Sequence, residues 1–183
     1  MEIEETNIPD VLLLQPKVHR DKRGFFLETY REEHLKGRGV EVHFVQDNLS
    51  QSQQGTIRGL HYQIEQQQDK LMMVMQGRIL DVAVDLRKDS PTFGQHTSVE
   101  LSSENKHQLF IPKGFAHGFA VLSETALVYY KCSNYYYPEG ERGLYWDDPA
   151  LNIDWTVTDP VVSEKDQNQP KLKEISSKDL FHG

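Results

Sequence analysis

Alternation of apolar and polar positions dominates the middle of the chain. In Leu80-Asp81-Val82-Ala83-Val84-Asp85-Leu86 the residues Leu80, Val82, Val84 and Leu86 share one face, while Asp81, Ala83 and Asp85 take the other, which predicts a half-buried strand. Similar short runs fall at residues 44–48, 97–101, 108–111, 119–122 and 126–132. Turn signals at Ser90-Pro91, Ser102-Ser103 and Pro138-Glu139-Gly140 separate them. Many short strands at close spacing predict an all-β sandwich or jelly roll. Helical signals are confined to two places. Thr29 with Glu32 has capping-box spacing, and Gly37 stops that run; Ser163-Glu164-Lys165-Asp166 repeats the spacing near the end of the chain. With no internal repeat or low-complexity linker, residues 1–183 read as one domain. The polar stretch from about residue 160 is either a frayed tail or a segment laid over the barrel mouth.

Composition narrows the classes. A chain of 183 residues can bury one sizeable core. The net charge of -8 and pI of about 5.5 argue against a nucleic-acid partner. No apolar run approaches the roughly 20 residues that cross a bilayer, and the start Met1-Glu2-Ile3-Glu4-Glu5 is acidic where a secretory signal is basic. The expectation is a cytoplasmic protein with no membrane partner. The single cysteine, Cys132, excludes an intrachain disulfide and suits a small buried position in a strand. A small anionic ligand needs only a few convergent cations, for which Arg23, Arg58, Lys70 and Lys113 are candidates.

Two runs carry the chemistry: Arg58-Gly59-Leu60-His61-Tyr62-Gln63 and Ile111-Pro112-Lys113-Gly114-Phe115-Ala116-His117-Gly118-Phe119. Each sets a histidine beside glycines in an apolar, strand-like stretch, where a ring can be held and its proton affinity tuned. Further on, alternation puts Ala126, Val128, Tyr130 and Cys132 on one face, and the small neighbours leave room beside the phenol. Arg58 and His61 are an odd number of residues apart, so an ideal strand would point them to opposite faces. A bulge at Gly59, or Arg58 serving a partner subunit's site, would resolve the conflict.

These runs, with Asp21-Lys22-Arg23-Gly24-Phe25-Phe26-Leu27-Glu28, Phe44-Val45-Gln46-Asp47-Asn48, Phe93-Gly94 and Tyr130-Lys131 through Asn134-Tyr135-Tyr136, resemble the dTDP-4-dehydrorhamnose 3,5-epimerase family in order and over nearly the whole chain. The resemblance implies a cupin-type jelly roll, or double-stranded β-helix, in a homodimer. It also implies conversion of dTDP-4-dehydro-6-deoxy-D-glucose to dTDP-4-dehydro-L-rhamnose, for cell-surface polysaccharide. By the same resemblance His61 is the base, Tyr130 the acid, Lys70 the group beside the developing C4 oxyanion, and Asp166 the carboxylate that orients His61. Arg23 and Arg58 correspond to diphosphate contacts. Gln46, Asn48, Glu28 and Glu141 correspond to contacts with base or sugar, Phe26 and Tyr136 to stacking faces for thymine, and His117 to a residue that binds or orients substrate.

The chemistry suits those residue types. A proton on the carbon beside a ketone leaves only if the enolate is stabilised and a base is within reach, and inversion requires a proton returned from the opposite face. An ordinary histidine, of pKa about 6.5, accepts near neutral pH, while a tyrosine of about 10 stays able to donate. The run through His117 also resembles the second half of the cupin metal motif. The first half should supply a His-x-His pair, and His61-Tyr62-Gln63 offers a glutamine instead, so neither metal nor cofactor is expected. His19, His34, His43, His96, His107 and His182 have no ligand spacing. Met72 and Met73 stand where relatives often carry a basic residue. An enzyme inverting only C3 or only C5 of a related sugar nucleotide would keep nearly all these residues. A non-catalytic binding protein would be expected to lose His61, Lys70 or Tyr130, and all three are present.

Overall fold

The computed structural model describes residues 1–182. Its elements in chain order are β1 (Glu2–Glu5), β2 (Leu12–Gln15), β3 (Val18–Asp21), β4 (Gly24–Leu27), α1 (Glu32–Lys36), β5 (Gln46–Gln53), β6 (Thr56–Gln63), β7 (Lys70–Gln76), β8 (Arg78–Asp85), β9 (His96–Ser102), β10 (Gln108–Ile111), β11 (Phe115–Val121), β12 (Thr125–Cys132), β13 (Glu141–Gly143), β14 (Val161–Val162) and α2 (Glu164–Gln167). One sheet has the order β1-β2-β10-β7-β12-β5. The other runs β13-β6-β11-β8-β9, with β14 beside β6, and the β3–β4 hairpin stands apart. Neighbours within each sheet come from distant parts of the chain, as a cupin-type jelly roll requires. Between the sheets Met72, Val74, Leu109, Ile111, Ala126 and Val128 pack against Ile79, Ala83, Phe115 and Phe119.

The strand at residues 80–86 exists as β8, but it is buried on both faces, with Asp81 and Asp85 fully buried. A second core explains the difference. Val82, Val84 and Leu86 pack with Leu144, Trp155, Leu180 and Phe181, so chain beyond residue 144 covers the outer face of this sheet. Leu172 and Ile175 join the same cluster and fasten the otherwise polar tail. Charges buried in β8 need partners. The Asp85 carboxylate accepts from Arg87 Nε at 2.9 Å and from the Ser90 and Thr92 hydroxyls at 2.6 Å each, and Asp81 meets His117.

Thr29 does not cap the first helix. The N-cap of α1 is Arg31, which makes no side-chain capping bond; the Thr29 carbonyl instead accepts from Gln108 Nε2 at 2.8 Å, which ties the preceding loop to β10. Gly37 does end the helix. In the tail, Ser163 caps α2, its Oγ accepting from the Asp166 N–H at 3.1 Å.

The conflict between Arg58 and His61 is resolved within the chain. Against β11, Arg58 lies opposite Phe119 and His61 opposite His117, so three steps on β6 match two on β11. Gly59 takes φ +116°, and a Cβ there would lie 2.6 Å from Gly118 Cα, so only glycine fits this bulge.

Candidate active site

A cavity lies between the two sheets and has two lobes, of about 490 and 230 Å³, which share His61, Lys70 and Tyr130. His61 and His117 project from β6 and β11 of one sheet, while Lys70 and Tyr130 project from β7 and β12 of the other. The register sets Tyr130 opposite Asn48 and Met72, and Lys70 opposite Cys132. Histidine and phenol therefore stand on opposing walls.

His61 Nε2 lies 2.6 Å from Asp166 Oδ1. The chain after β14 turns at the Ser163 cap and delivers Asp166 into the cavity, where the side chain is only 5% exposed. Burial opposes its charge, but the His61 contact and the Gly59 N–H at 3.4 Å outweigh it and hold the carboxyl below the usual aspartate range. His117 Nε2 lies 2.5 Å from Asp81 Oδ1, and both side chains are buried. There burial wins and lowers the His117 pKa, against the pull of Asp81 and with a smaller push from Lys70 and His61. Lys70 makes no hydrogen bond or ion pair among the described residues. It keeps some exposed surface, yet its surroundings are enclosed enough that desolvation pushes its pKa down while Cys132, Asp81 and Glu141 pull it up through space. Burial raises the Tyr130 pKa, opposed by Arg58, so the phenol stays protonated.

The larger lobe also carries Arg58, whose Nε donates to Ser52 Oγ at 2.8 Å and leaves the outer guanidinium nitrogens free of protein partners among the described residues. In the smaller lobe Gln46 Nε2 donates to Asn48 Oδ1 at 3.0 Å, and the Tyr136 N–H donates to Gln46 Oε1 at 2.9 Å. Glu141 accepts at one oxygen from Tyr136 OH at 3.0 Å and Lys165 Nζ at 2.5 Å. Burial works against ionisation of Glu141, and these two bonds overcome it.

Ten of the residues predicted for the site thus gather at one cavity: His61, Lys70, Tyr130, Asp166, Arg58, His117, Gln46, Asn48, Tyr136 and Glu141. Three do not. Arg23 is paired with Asp21 on the β3–β4 hairpin, Phe26 on the same hairpin is 71% exposed, and Glu28 is bonded to Arg31 and His34. Lys113 lines a separate cleft with Arg38 and Arg87. Sequence reasoning overlooked Lys165, Asp81 and Ser50, which all bear on the cavity. Asp81 was signalled by a charge inside an apolar run, and Ser50 by its even spacing from Gln46 and Asn48. Among the described residues no group of three or more His, Cys, Asp or Glu side chains is arranged to hold a metal, and no helix is long and apolar enough to cross a membrane.

Fold and cavity together define a cupin-type jelly roll whose cavity sets a carboxylate-paired histidine on one wall and a protonated tyrosine beside a lysine on the other. Residues 5–174 match the family described as dTDP-4-dehydrorhamnose 3,5-epimerase. Proteins of that name from Pseudomonas aeruginosa and Methanothermobacter thermautotrophicus are similar at 54% and 49% identity; the matches cover 87% and 93% of this chain and 90% and 94% of theirs. The solved structure of a dTDP-6-deoxy-D-glucose-3,5-epimerase from Legionella pneumophila, in complex with dTDP-4-keto-L-rhamnose, is similar with a TM-score of 0.96 at 47% identity, over 100% of this chain and 98% of that one. The chain belongs to the dTDP-4-dehydrorhamnose 3,5-epimerase family, a family of isomerases.

Proposed function

We propose that this protein epimerises dTDP-4-dehydro-6-deoxy-D-glucose at C3 and C5, giving dTDP-4-dehydro-L-rhamnose. The observation that carries the reading is the placement of His61 with Asp166 on one sheet wall and Tyr130 on the other. His61 takes the proton from the carbon beside the ketone, and the bonding pair moves into the ring so that charge develops on the C4 oxygen. Lys70 stabilises that oxyanion from the Tyr130 side of the cavity. Tyr130 then donates its proton to the opposite face of the carbon, inverting it, and solvent restores both side chains. Asp166 orients the His61 ring and favours its cationic form during the step.

Arg58 offers its free guanidinium nitrogens to the diphosphate, in the lobe that also holds Lys165. Gln46, Asn48, Tyr136 and Glu141 line the smaller lobe with groups that suit the base and sugar. The reading includes a homodimer in the cytoplasm. The β3–β4 hairpin stands outside both sheets and exposes Phe25 and Phe26, an apolar surface that a second copy would cover, bringing Arg23, Phe26 and Glu28 towards its cavity. Incubation of the purified protein with the sugar nucleotide in heavy water, followed by NMR, tests the reaction. Deuterium and inversion at both C3 and C5 are expected. Label at one carbon would indicate a single-site epimerase, and no label would remove the catalytic reading.

A further inference from the structure

Three buried side-chain polar atoms have no hydrogen-bond partner among the described residues: Ser50 Oγ, Asp81 Oδ2 and Trp146 Nε1. The other oxygen of Asp81 is held by His117, and Trp146 packs on the outer core away from the cavity. Ser50 is different because it lines the larger lobe. Strand alternation sets Gln46, Asn48, Ser50 and Ser52 on one side of β5. Gln46 and Asn48 bond each other, and Ser52 accepts from Arg58, so Ser50 is the member of this row left without a partner. Its neighbour on β12 is Val128, with Tyr130 one pair further along opposite Asn48. The Ser50 hydroxyl therefore sits between the row of the phenol and the row that anchors Arg58.

An unpaired buried hydroxyl is costly, so its place in a cavity wall calls for a partner that enters with the ligand. A serine hydroxyl both donates and accepts, which suits a sugar hydroxyl that does the same. Resting on the epimerase reading above, we infer that Ser50 is a substrate-binding residue that hydrogen-bonds the hexose at its phosphate-proximal end, between Arg58 and Tyr130. It fixes the ring height against Tyr130 and has no role in holding the free protein together.

Ser50→Ala separates these roles, because it removes the hydroxyl without adding volume or charge. The expected result is a loss of about tenfold in kcat/KM for the sugar nucleotide, the worth of one hydrogen bond to a buried partner. Affinity for dTDP, which lacks the hexose, should stay within about twofold, and Tm should hold or rise because an unsatisfied group has gone. A kcat/KM within twofold of the parent, a Tm lowered by several degrees, or a dTDP affinity that falls along with kcat/KM would each overturn the inference. A parent protein that leaves the substrate unchanged would remove the epimerase reading and this inference together. An active parent beside an unaffected Ser50→Ala variant would remove the inference alone.

Discussion

Two histidine–aspartate pairs face the same cavity from neighbouring strands, and they differ in nearly everything except composition. His61 and His117 lie opposite each other in the register of β6 and β11. The His61 side chain is 30% exposed, and its aspartate arrives from a helix 105 residues further along the chain. The His117 side chain is 8% exposed, and its aspartate comes from the adjacent strand and is fully buried. Asp166 has both oxygens engaged, whereas Asp81 keeps one unpaired. A carboxylate partner alone does not make a histidine a base. A base must also reach its substrate and exchange its proton with solvent, and of the two pairs the one at His61 is the partly open one. Burial instead lowers the His117 pKa and favours its neutral ring.

The comparison breaks most visibly at the bases themselves. His61→Ala should lower turnover by about 10²- to 10⁴-fold, the range for losing a general base, with Tm little changed. His117→Asn should leave measurable activity, and steady-state epimerisation of the two variants side by side would expose any reversal of roles. One step smaller is the carboxylate. Asp166→Asn should reduce kcat by about 10- to 100-fold with KM nearly constant, as for loss of an orienting partner, and unchanged kinetics would separate the tail from the chemistry.

The buried pair should report in stability rather than rate. The folded His117 pKa lies below the ordinary value of 6.5, so the unfolded chain takes up the proton first. The contribution of neutral His117 is intact above about pH 6.5 and is lost as pH falls from there towards the folded pKa. Thermal unfolding across that window should show Tm dropping for the parent and dropping less for His117→Asn. Equal slopes would contradict the buried, neutral assignment. The smallest expected effect is at Lys113→Ala, which lies in the separate cleft and should leave kcat/KM within about twofold.

What could be read in the sequence follows from how local its cause is. The strands and the Ser163 cap depend on period and on a side chain three residues away, and both are present. The bulge at Gly59 was one of two readings of the parity clash between Arg58 and His61, the other being a site shared with a partner subunit, and the strand register shows the bulge. The apolar face read at Val82, Val84 and Leu86 is the outer one, and its cover by residues 144–181 comes from too far along the chain to be legible. Asp81 and Asp85, read as a solvent face, share the side of Ile79 and Ala83 that turns to the other sheet, where each has a dedicated partner. Thr29 was misread because the helix starts two residues later, with Arg31 at its N-cap, while the Thr29 carbonyl belongs to a loop tied to Gln108 that no local window reveals. Family resemblance could name candidates, ten of which line one cavity, but the pairing of His61 with Asp166 depends on a tail path that spacing alone does not specify. Arg23, Phe26 and Glu28 share motifs with the site and yet lie outside it in a single chain.

The central claim is that base and acid act from opposing walls, and Tyr130→Phe in heavy water tests it most directly. With His61 intact and the donor missing, the account predicts deuterium entering C3 and C5 of the sugar with configuration retained, because the proton leaves and returns on the His61 face. Inversion at both carbons at the parent rate would contradict it, and so would complete loss of exchange.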